Sequence, residues 1–255
     1  MMYATAPDGA RIEAVPRLKA CTCPLCGSPV VAKCGLIVIW HWAHAVGGEC
    51  DSWAEPMSAW HRAWQEVVPP ERREVVMGPH RADVVTASGG VVELQHSAIS
   101  PSVIAEREEF YGARMAWIVD ATRWSEADRI GVEVVRQYRQ TASPPSGEAS
   151  VSGAPGSWPR NGLWPGMQPY IRRPRPRPEL VLADWQEVKW SRAPRAWAHS
   201  GRPVLFDLGD GRMLKRVREH GENACVLYSR ESVQRWLRDG GRWERLQVTG
   251  GRAAS

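Results

Sequence analysis

Three polar residues in the middle of the chain have the types and spacing to hold a hard cation and direct water at a phosphoester: Asp83, Glu93 and Gln95. Asp83 lies near the start of RADVVTA (81–87), Glu93 and Gln95 lie inside VVELQHS (91–97), and Ser88, Gly89 and Gly90 supply a turn between them. On a strand, alternation puts Glu93 and Gln95 on one face and sends Leu94 into the other layer. A tight turn carries Asp83 in from the preceding strand, so that two carboxylates converge on one ion through oxygen, as Mg²⁺ or Mn²⁺ requires. Such an ion polarises a scissile phosphate, lowers the pKa of a bound water and neutralises developing charge. A lone acid on a strand face is usually only solvated. Two in register beside an amide point to metal-dependent hydrolysis.

A second constellation is thiol-rich. Cys21, Cys23, Cys26, Cys34 and Cys50 fall in the first fifth of the chain, close to His41 and His44, while Cys225 stands alone. Cys23 and Cys26 form a CxxC half-site, and His41 with His44 gives a second pair. Thiolate and imidazole are the ligands that zinc prefers, and four of them close a tetrahedron. If His41 and His44 sit three positions apart on an extended strand they face opposite sides, and His44 with Cys50 becomes the better second pair. A closed four-ligand site leaves no position for water, so this Zn²⁺ is expected to be structural.

The elements that must position these groups follow from local pattern. CTCPLCGSPVV and the apolar run GLIVIWHWAH read as a short knuckle ending in a strand. From Pro56, Trp60, Ala63, Trp64 and Val67 recur at helical spacing until Pro69 and Pro70 stop the run. Strands are expected over 73–77, 81–87 and 91–97, then a helix opened by Ser100 as N-cap and Pro101 at the first helical position, then a buried strand over 115–121. A last helix is expected over about 125–140. The order is helix, three strands, helix, strand, which suits an α/β (α+β) mixed sheet flanked by helices.

Between 141 and 178 the composition turns to Pro, Gly, Ser and Arg, which predicts a linker. After it a hairpin around Gly209, Asp210 and Gly211 and a helix capped by Ser229 or Ser232 make a small C-terminal α+β module. The expected organisation is a zinc-binding module at 1–54, a core at 55–140, a linker at 141–178 and the last module at 179–255.

The net charge of +5 is unevenly spread: residues 160–218 hold 13 Lys or Arg against 5 Asp or Glu, leaving the remainder net acidic. DNA phosphates are therefore expected at Arg172, Arg173, Arg175, Arg177, Lys189, Arg192 and Arg195. Most of the 14 tryptophans are expected to pack. Trp158 and Trp164, in the basic linker, are the best candidates for stacking on single-stranded bases. No stretch is long and apolar enough for a membrane span, and the first residues lack a signal-peptide pattern, so a cytoplasmic protein is expected.

The ordered motifs CPLCGSPVVAKCG and HWAH, EPMSAWHRAWQ, GPHRADVV with VVELQHSAIS, and EREEFYGARMAWIVD resemble the competence protein CoiA-like family over roughly residues 20–125. The stretch RAPRAWAHSGRPVLFDLGDGRML is similar to the C-terminal part of such proteins. The resemblance implies a restriction-endonuclease-like core of the PD-(D/E)xK superfamily and a DNA nuclease acting on incoming or foreign DNA. It implies that Asp83 and Glu93 bind metal, that Gln95 stands where Lys is usual, and that Glu55 and His61 line the site. Arg107 and Tyr111 fall on the helix after the signature strand, where they either serve the site or clamp helix to sheet. His61 either serves the site or packs between Trp60 and Trp64. An amide at position 95 orients water only by hydrogen bonding, which keeps open a rival expectation: a nuclease fold that binds nucleic acid without cutting it.

Overall fold

The computed structural model describes residues 1–48, 50–123, 132–138, 185–190, 195–216 and 224–240, with 132–138, 185–190 and Ala224 described as backbone. Helix α1 (Ala59–Gln65) starts where the Ser58 side chain accepts from the His61 N–H at 3.1 Å, a side-chain cap that satisfies one of the free first-turn donors. Strands β5 (Arg73–Met77), β6 (His80–Val85) and β7 (Val91–Gln95) follow as an antiparallel meander. Gly89, at φ +77°, makes the expected turn between the last two.

Helix α2 (Pro101–Tyr111) is capped by Ser100 and ends at Gly112, at φ +73°. It crosses over to β8 (Met115–Asp120), which pairs in parallel with β7. The order helix, three strands, helix, strand is thus the one expected from the sequence.

The sheet does not stop there. Strand β11 (Val204–Asp207) pairs in parallel with β8, and β12 (Arg212–Arg216) and β13 (Ala224–Ser229) continue antiparallel. Strands β10 (Trp185–Trp190) and β9 (Val132–Tyr138) complete a nine-stranded mixed sheet in the order β5-β6-β7-β8-β11-β12-β13-β10-β9. Helix α3 (Arg230–Arg238) follows β13, capped by Ser229. The segment after 179 therefore extends the same sheet across the expected domain boundary.

Two apolar layers fix the faces. Trp64 of α1 and Val68 after it, with Val233, Trp236 and Leu237 of α3, pack on Val84, Val92, Leu94, Ala116, Ile118 and Leu205. Ile104 of α2 and Trp197 pack on the opposite face against Val91, Met115, Trp117, Val119 and Phe206. Period-two alternation along β7 and β8 assigns these layers, so α1 and α2 lie on opposite sides.

The N-terminal module holds two hairpins, β1 (Tyr3–Thr5) with β2 (Arg11–Glu13), and β3 (Val30–Lys33) with β4 (His41–His44), around Met1, Ala4, Cys21, Cys23, Val30 and Trp42.

Two expected elements differ. The span given to a helix at about 125–140 holds β9 over its described part, because Val132–Tyr138 pairs antiparallel with β10; residues 124–131, 139 and 140 lie outside the described residues. Of the apolar run GLIVIWHWAH only His41–His44 is strand; the connection between β3 and β4 takes the rest, leaving Leu36 and Ile37 fully exposed. The linker, with Arg172, Arg173, Arg175, Arg177, Trp158 and Trp164, lies outside the described residues, as does Arg192. No helix among the described residues is long and apolar enough to cross a membrane.

Candidate active site and metal centre

Strands β6 and β7 pair at Val84↔Val92 and Val85↔Val91. One step further, the carboxylates of Asp83 and Glu93 replace the backbone ladder. Glu93 Oε1 accepts from the Asp83 N–H at 3.3 Å, and Asp83 Oδ2 accepts from the Leu94 N–H at 2.8 Å. Each acid thus caps the other's strand, and the strands part around a cavity of about 30 Å³ lined by both acids with Glu55, His61, Glu74 and Arg107. That is room for an ion with one or two waters, at the roughly 10–15 Å³ that each needs.

The two acids draw their cationic partners from opposite layers. His61 Nε2 of α1 lies 2.8 Å from Asp83 Oδ1, and Arg107 Nη1 of α2 lies 3.1 Å from Glu93 Oε2. Burial works against ionising Asp83, but the charge and hydrogen bond of His61, helped by the Leu94 N–H and Arg107, hold it below the usual carboxylate range. For Glu93, burial and then the charge of Asp83 outweigh Arg107 and push its carboxyl up to about 8. Burial disfavours the His61 imidazolium, yet the Asp83 carboxylate raises its pKa. This is how like charges sharing a desolvated site behave: one acid ionises readily and the other holds its proton.

Of the residues implied by the resemblance, His61 and Arg107 therefore touch the two acids directly. His61 is not packed as an apolar spacer, and Arg107 does more than clamp its helix, since Nη2 also donates to the Trp53 carbonyl at 2.9 Å. Tyr111 sits behind them against Trp53, with its hydroxyl buried and without a hydrogen-bond partner among the described residues. Burial, and then the charge of Glu93, raise its pKa.

Glu55 ties down the end of β7: it accepts from the Gln95 amide, from the N–H of His96 at 3.1 Å and from the Ser97 hydroxyl. Gln95 shares the Glu93 face as expected, while Leu94 enters the α1 layer. The Gln95 Oε1 is buried and has no partner.

Sequence reading missed the residues that join the N-terminal module to this site. Asp51 accepts from His80 Nδ1 at 2.8 Å and from the Arg81 N–H at 2.9 Å, and the His80 ring stacks on Trp53 with centroids 3.3 Å apart. Glu74, at φ +42°, receives the Met2 and Tyr3 N–H groups. These are contacts between elements distant in sequence, and no local pattern announces them.

In the N-terminal module the metal-ligating groups separate cleanly. Cys23, Cys26, His44 and Cys50 bring their ligand atoms within 4.8 Å of one another. Cys23 and Cys50 sulfurs are 3.7 Å apart, and Cys26 Sγ is 3.3 Å from His44 Nε2. A tetrahedron with Zn–S of about 2.3 Å has an S–S edge of about 3.8 Å, so three thiols and one imidazole at this spacing fit zinc. His41 belongs to the expected ligand set but not to this cluster: on β4 it faces away from His44, and its Nδ1 pairs with the Ile39 carbonyl at 2.8 Å. Cys21 and Cys34 are also outside it. Hydrogen bonds from Ser28 hold the Cys26 thiol down at about 6, and burial pushes Cys50 up to about 12.

Residues 8–52 match the family model of the competence protein CoiA, N-terminal domain. This CoiA-like segment holds all four members of the thiol and imidazole cluster and stops before Trp53. Asp83 and Glu93 therefore lie beyond the matched stretch. No curated protein and no solved structure matches the chain.

Proposed function

We propose that the chain is a Mg²⁺- or Mn²⁺-dependent deoxyribonuclease of the PD-(D/E)xK type, carrying a structural Zn²⁺ in its CoiA-like N-terminal segment. The observation that carries this reading is the mutual capping of Asp83 and Glu93 at the point where two strands part, inside a helix, three strands, helix, strand unit. The donor set fits a hard divalent ion: two carboxylates open on one cavity, burial and then the charge of Asp83 push the Glu93 carboxyl up to about 8, and on the same strand face the Gln95 Oε1 is buried without a partner among the described residues. Asp83 and Glu93 would hold the ion, which would supply Lewis acidity to the phosphodiester and acidity to a bound water.

The chain's own residues do the remaining work. His61 fixes one Asp83 oxygen and keeps that carboxylate ionised. Arg107 orients Glu93 and adds positive charge beside the place where a phosphate would bind. Gln95, with its NH₂ tied to Glu55, presents its carbonyl to orient water by accepting a hydrogen bond. Gln cannot donate a proton as a lysine can, so slow turnover is expected. The substrate is DNA in this reading, held by the Arg-rich segment, and processing of incoming or foreign DNA is the role suggested by likeness to CoiA.

A second reading, a nucleic-acid-binding protein without catalysis, is favoured by one feature: His61 and Arg107 already compensate both acids. The two separate on incubation with plasmid and linear single strands plus Mg²⁺ or Mn²⁺, beside Glu93→Gln and Asp83→Ala. Cleavage by the native chain, lost in both variants, is the expected result. Intact substrate in every lane, with retarded migration on a gel, would leave the binding reading instead.

A further inference from the structure

Beyond the acid pair, at the C-terminal ends of the parallel strands β7 and β8, lies a second cavity of about 260 Å³. Its polar walls are His96, Ser97, Asp120 and Arg195, and Ile99 and Trp197 line its apolar side. His96 Nδ1 donates to Asp120 Oδ2 at 2.6 Å, and the other Asp120 oxygen accepts from the Thr122 N–H at 3.0 Å and from its hydroxyl at 2.6 Å. Both oxygens of that buried acid are thus engaged. The opposite edge of the ring, Nε2, makes no hydrogen bond among the described residues, and neither does the exposed Arg195 guanidinium.

An imidazole held by a carboxylate through one nitrogen offers the other to a ligand with its direction fixed. Beside it stands a guanidinium whose fork matches phosphate oxygens. The oxygens of the acids near them, Asp120 and Glu55, are engaged by donors of the chain itself. The volume is below the roughly 300–1,000 Å³ of a site for a drug-sized ligand, which suits one phosphate with its sugar. Crevices outside the carboxyl ends of parallel strands are where open α/β sheets receive ligands.

We propose that this cavity is a phosphodiester subsite for a DNA backbone, with the Arg195 guanidinium and the imidazolium form of His96, in which Nε2 donates as well as Nδ1, as its two donors. It rests on the DNA-directed reading of the neighbouring acid pair, to which Glu55 joins it through Gln95, His96 and Ser97. Three steps along an extended chain, about 10 Å, separate Glu93 from His96.

The test is binding without added Mg²⁺ or Mn²⁺ and with the zinc left in place, so that it does not depend on cleavage. The full chain, His96→Ala and Arg195→Ala are titrated with a fluorescent duplex and with a single strand, by anisotropy over a range of salt. Each variant is expected to bind about tenfold more weakly, with a log–log salt slope smaller by about one. The double variant is expected to lose no further slope, because one phosphate serves both groups. Unchanged affinity and slope in Arg195→Ala, an exposed position whose substitution leaves the core intact, would overturn the proposal even if His96→Ala failed to fold. So would inorganic phosphate, at matched ionic strength, moving the His96 ring resonances while oligonucleotide leaves them in place. Normal variant effects on binding, in a chain that cuts nothing, would sink the nuclease reading and leave this subsite standing.

Discussion

The His61 Nε2 lies 2.8 Å from Asp83 Oδ1, while the buried His61 Nδ1 has no hydrogen-bond partner among the described residues. The imidazole is thus committed to Asp83 alone. Its pKa is raised and that of Asp83 lowered, so the pair stabilises the fold in a bounded window. The Asp83 contribution is present above its unfolded pKa and fades as pH falls through the depressed value. The His61 contribution is full below its unfolded pKa and fades as pH rises through the raised one. Without added Mg²⁺ or Mn²⁺, His61→Ala should cost about 3–5 kcal/mol, as for breaking a buried ion pair from one side. Thermal melts from acid to alkaline pH should show the gap between native chain and variant narrowing at both ends. A gap independent of pH would contradict the pairing.

Glu93 behaves with the opposite sign. With its carboxyl pushed up to about 8 in the fold, the folded chain binds a proton there that the unfolded chain releases near 4.3. Metal-free protein should therefore lose stability as pH rises through the interval between those values, a loss of a few kcal/mol at about 1.4 kcal/mol per unit. Glu93→Gln cannot ionise, so it should flatten this slope and melt above the native chain at pH 8 without added Mg²⁺ or Mn²⁺. Added Mn²⁺ should raise the native melting temperature more at pH 8 than at pH 5, because protons compete for the same oxygens. Calorimetry across pH with and without Mn²⁺ checks both, and an equal shift at the two pH values would count against carboxylate coordination.

How much of this was legible depended on whether a contact was local. Ser100 and Pro101 announce α2 because capping is a matter of neighbouring residues, and the Ser88, Gly89, Gly90 turn fixes the hairpin that carries Asp83 to Glu93. The strand Val132–Tyr138 was misread as helix because its pairing partner, Trp185–Trp190, lies some fifty residues on, and a non-local ladder decided what a short apolar segment could not. Leu36 and Ile37 look like strand in a hydrophobicity profile, yet β3 and β4 can pair only if something between them turns. His96 with Asp120, and His80 with Asp51, join elements whose proximity exists only in the folded sheet. For the zinc ligands, by contrast, strand alternation already offered His44 with Cys50 as one of two second pairs, and the folded module brings that pair to Cys23 and Cys26.

Zinc content separates the ligands from their neighbours. Cys23→Ser, Cys26→Ser, His44→Ala and Cys50→Ser should each lose bound zinc, while Cys21→Ser, Cys34→Ser and His41→Ala keep about one ion per chain by elemental analysis. The effect should travel further. Cys50 adjoins Asp51, which receives His80 Nδ1 and the Arg81 N–H two residues before Asp83. Chelation should therefore unfold the small module, whose apolar core is slight, and also lower any metal-dependent cleavage. Retained zinc in His44→Ala, or full cleavage after zinc removal, would break this link.

In the proposed nuclease reading Gln95 stands where a lysine is usual, and the surroundings say what a lysine there would meet. The Gln95 amide points its NH₂ at Glu55, whose carboxylate already gathers the His96 N–H and the Ser97 hydroxyl. Gln95→Lys would place an ammonium against that carboxylate, a paired charge and not a stranded one, so the variant should fold with a melting temperature close to native. Gln95→Ala removes the donor instead and leaves Glu55 under-satisfied, a cost of about 1–3 kcal/mol. If proton and charge management limit the native rate, Gln95→Lys should raise Mg²⁺-dependent cleavage at least tenfold, general acid–base groups being worth about 10²–10⁴ when well placed. Single-turnover assays on plasmid compare the three directly. A folded Gln95→Lys chain no faster than native would mean that the amide is not the limiting feature, and that the hold of Arg107 on Glu93 is the next group to release.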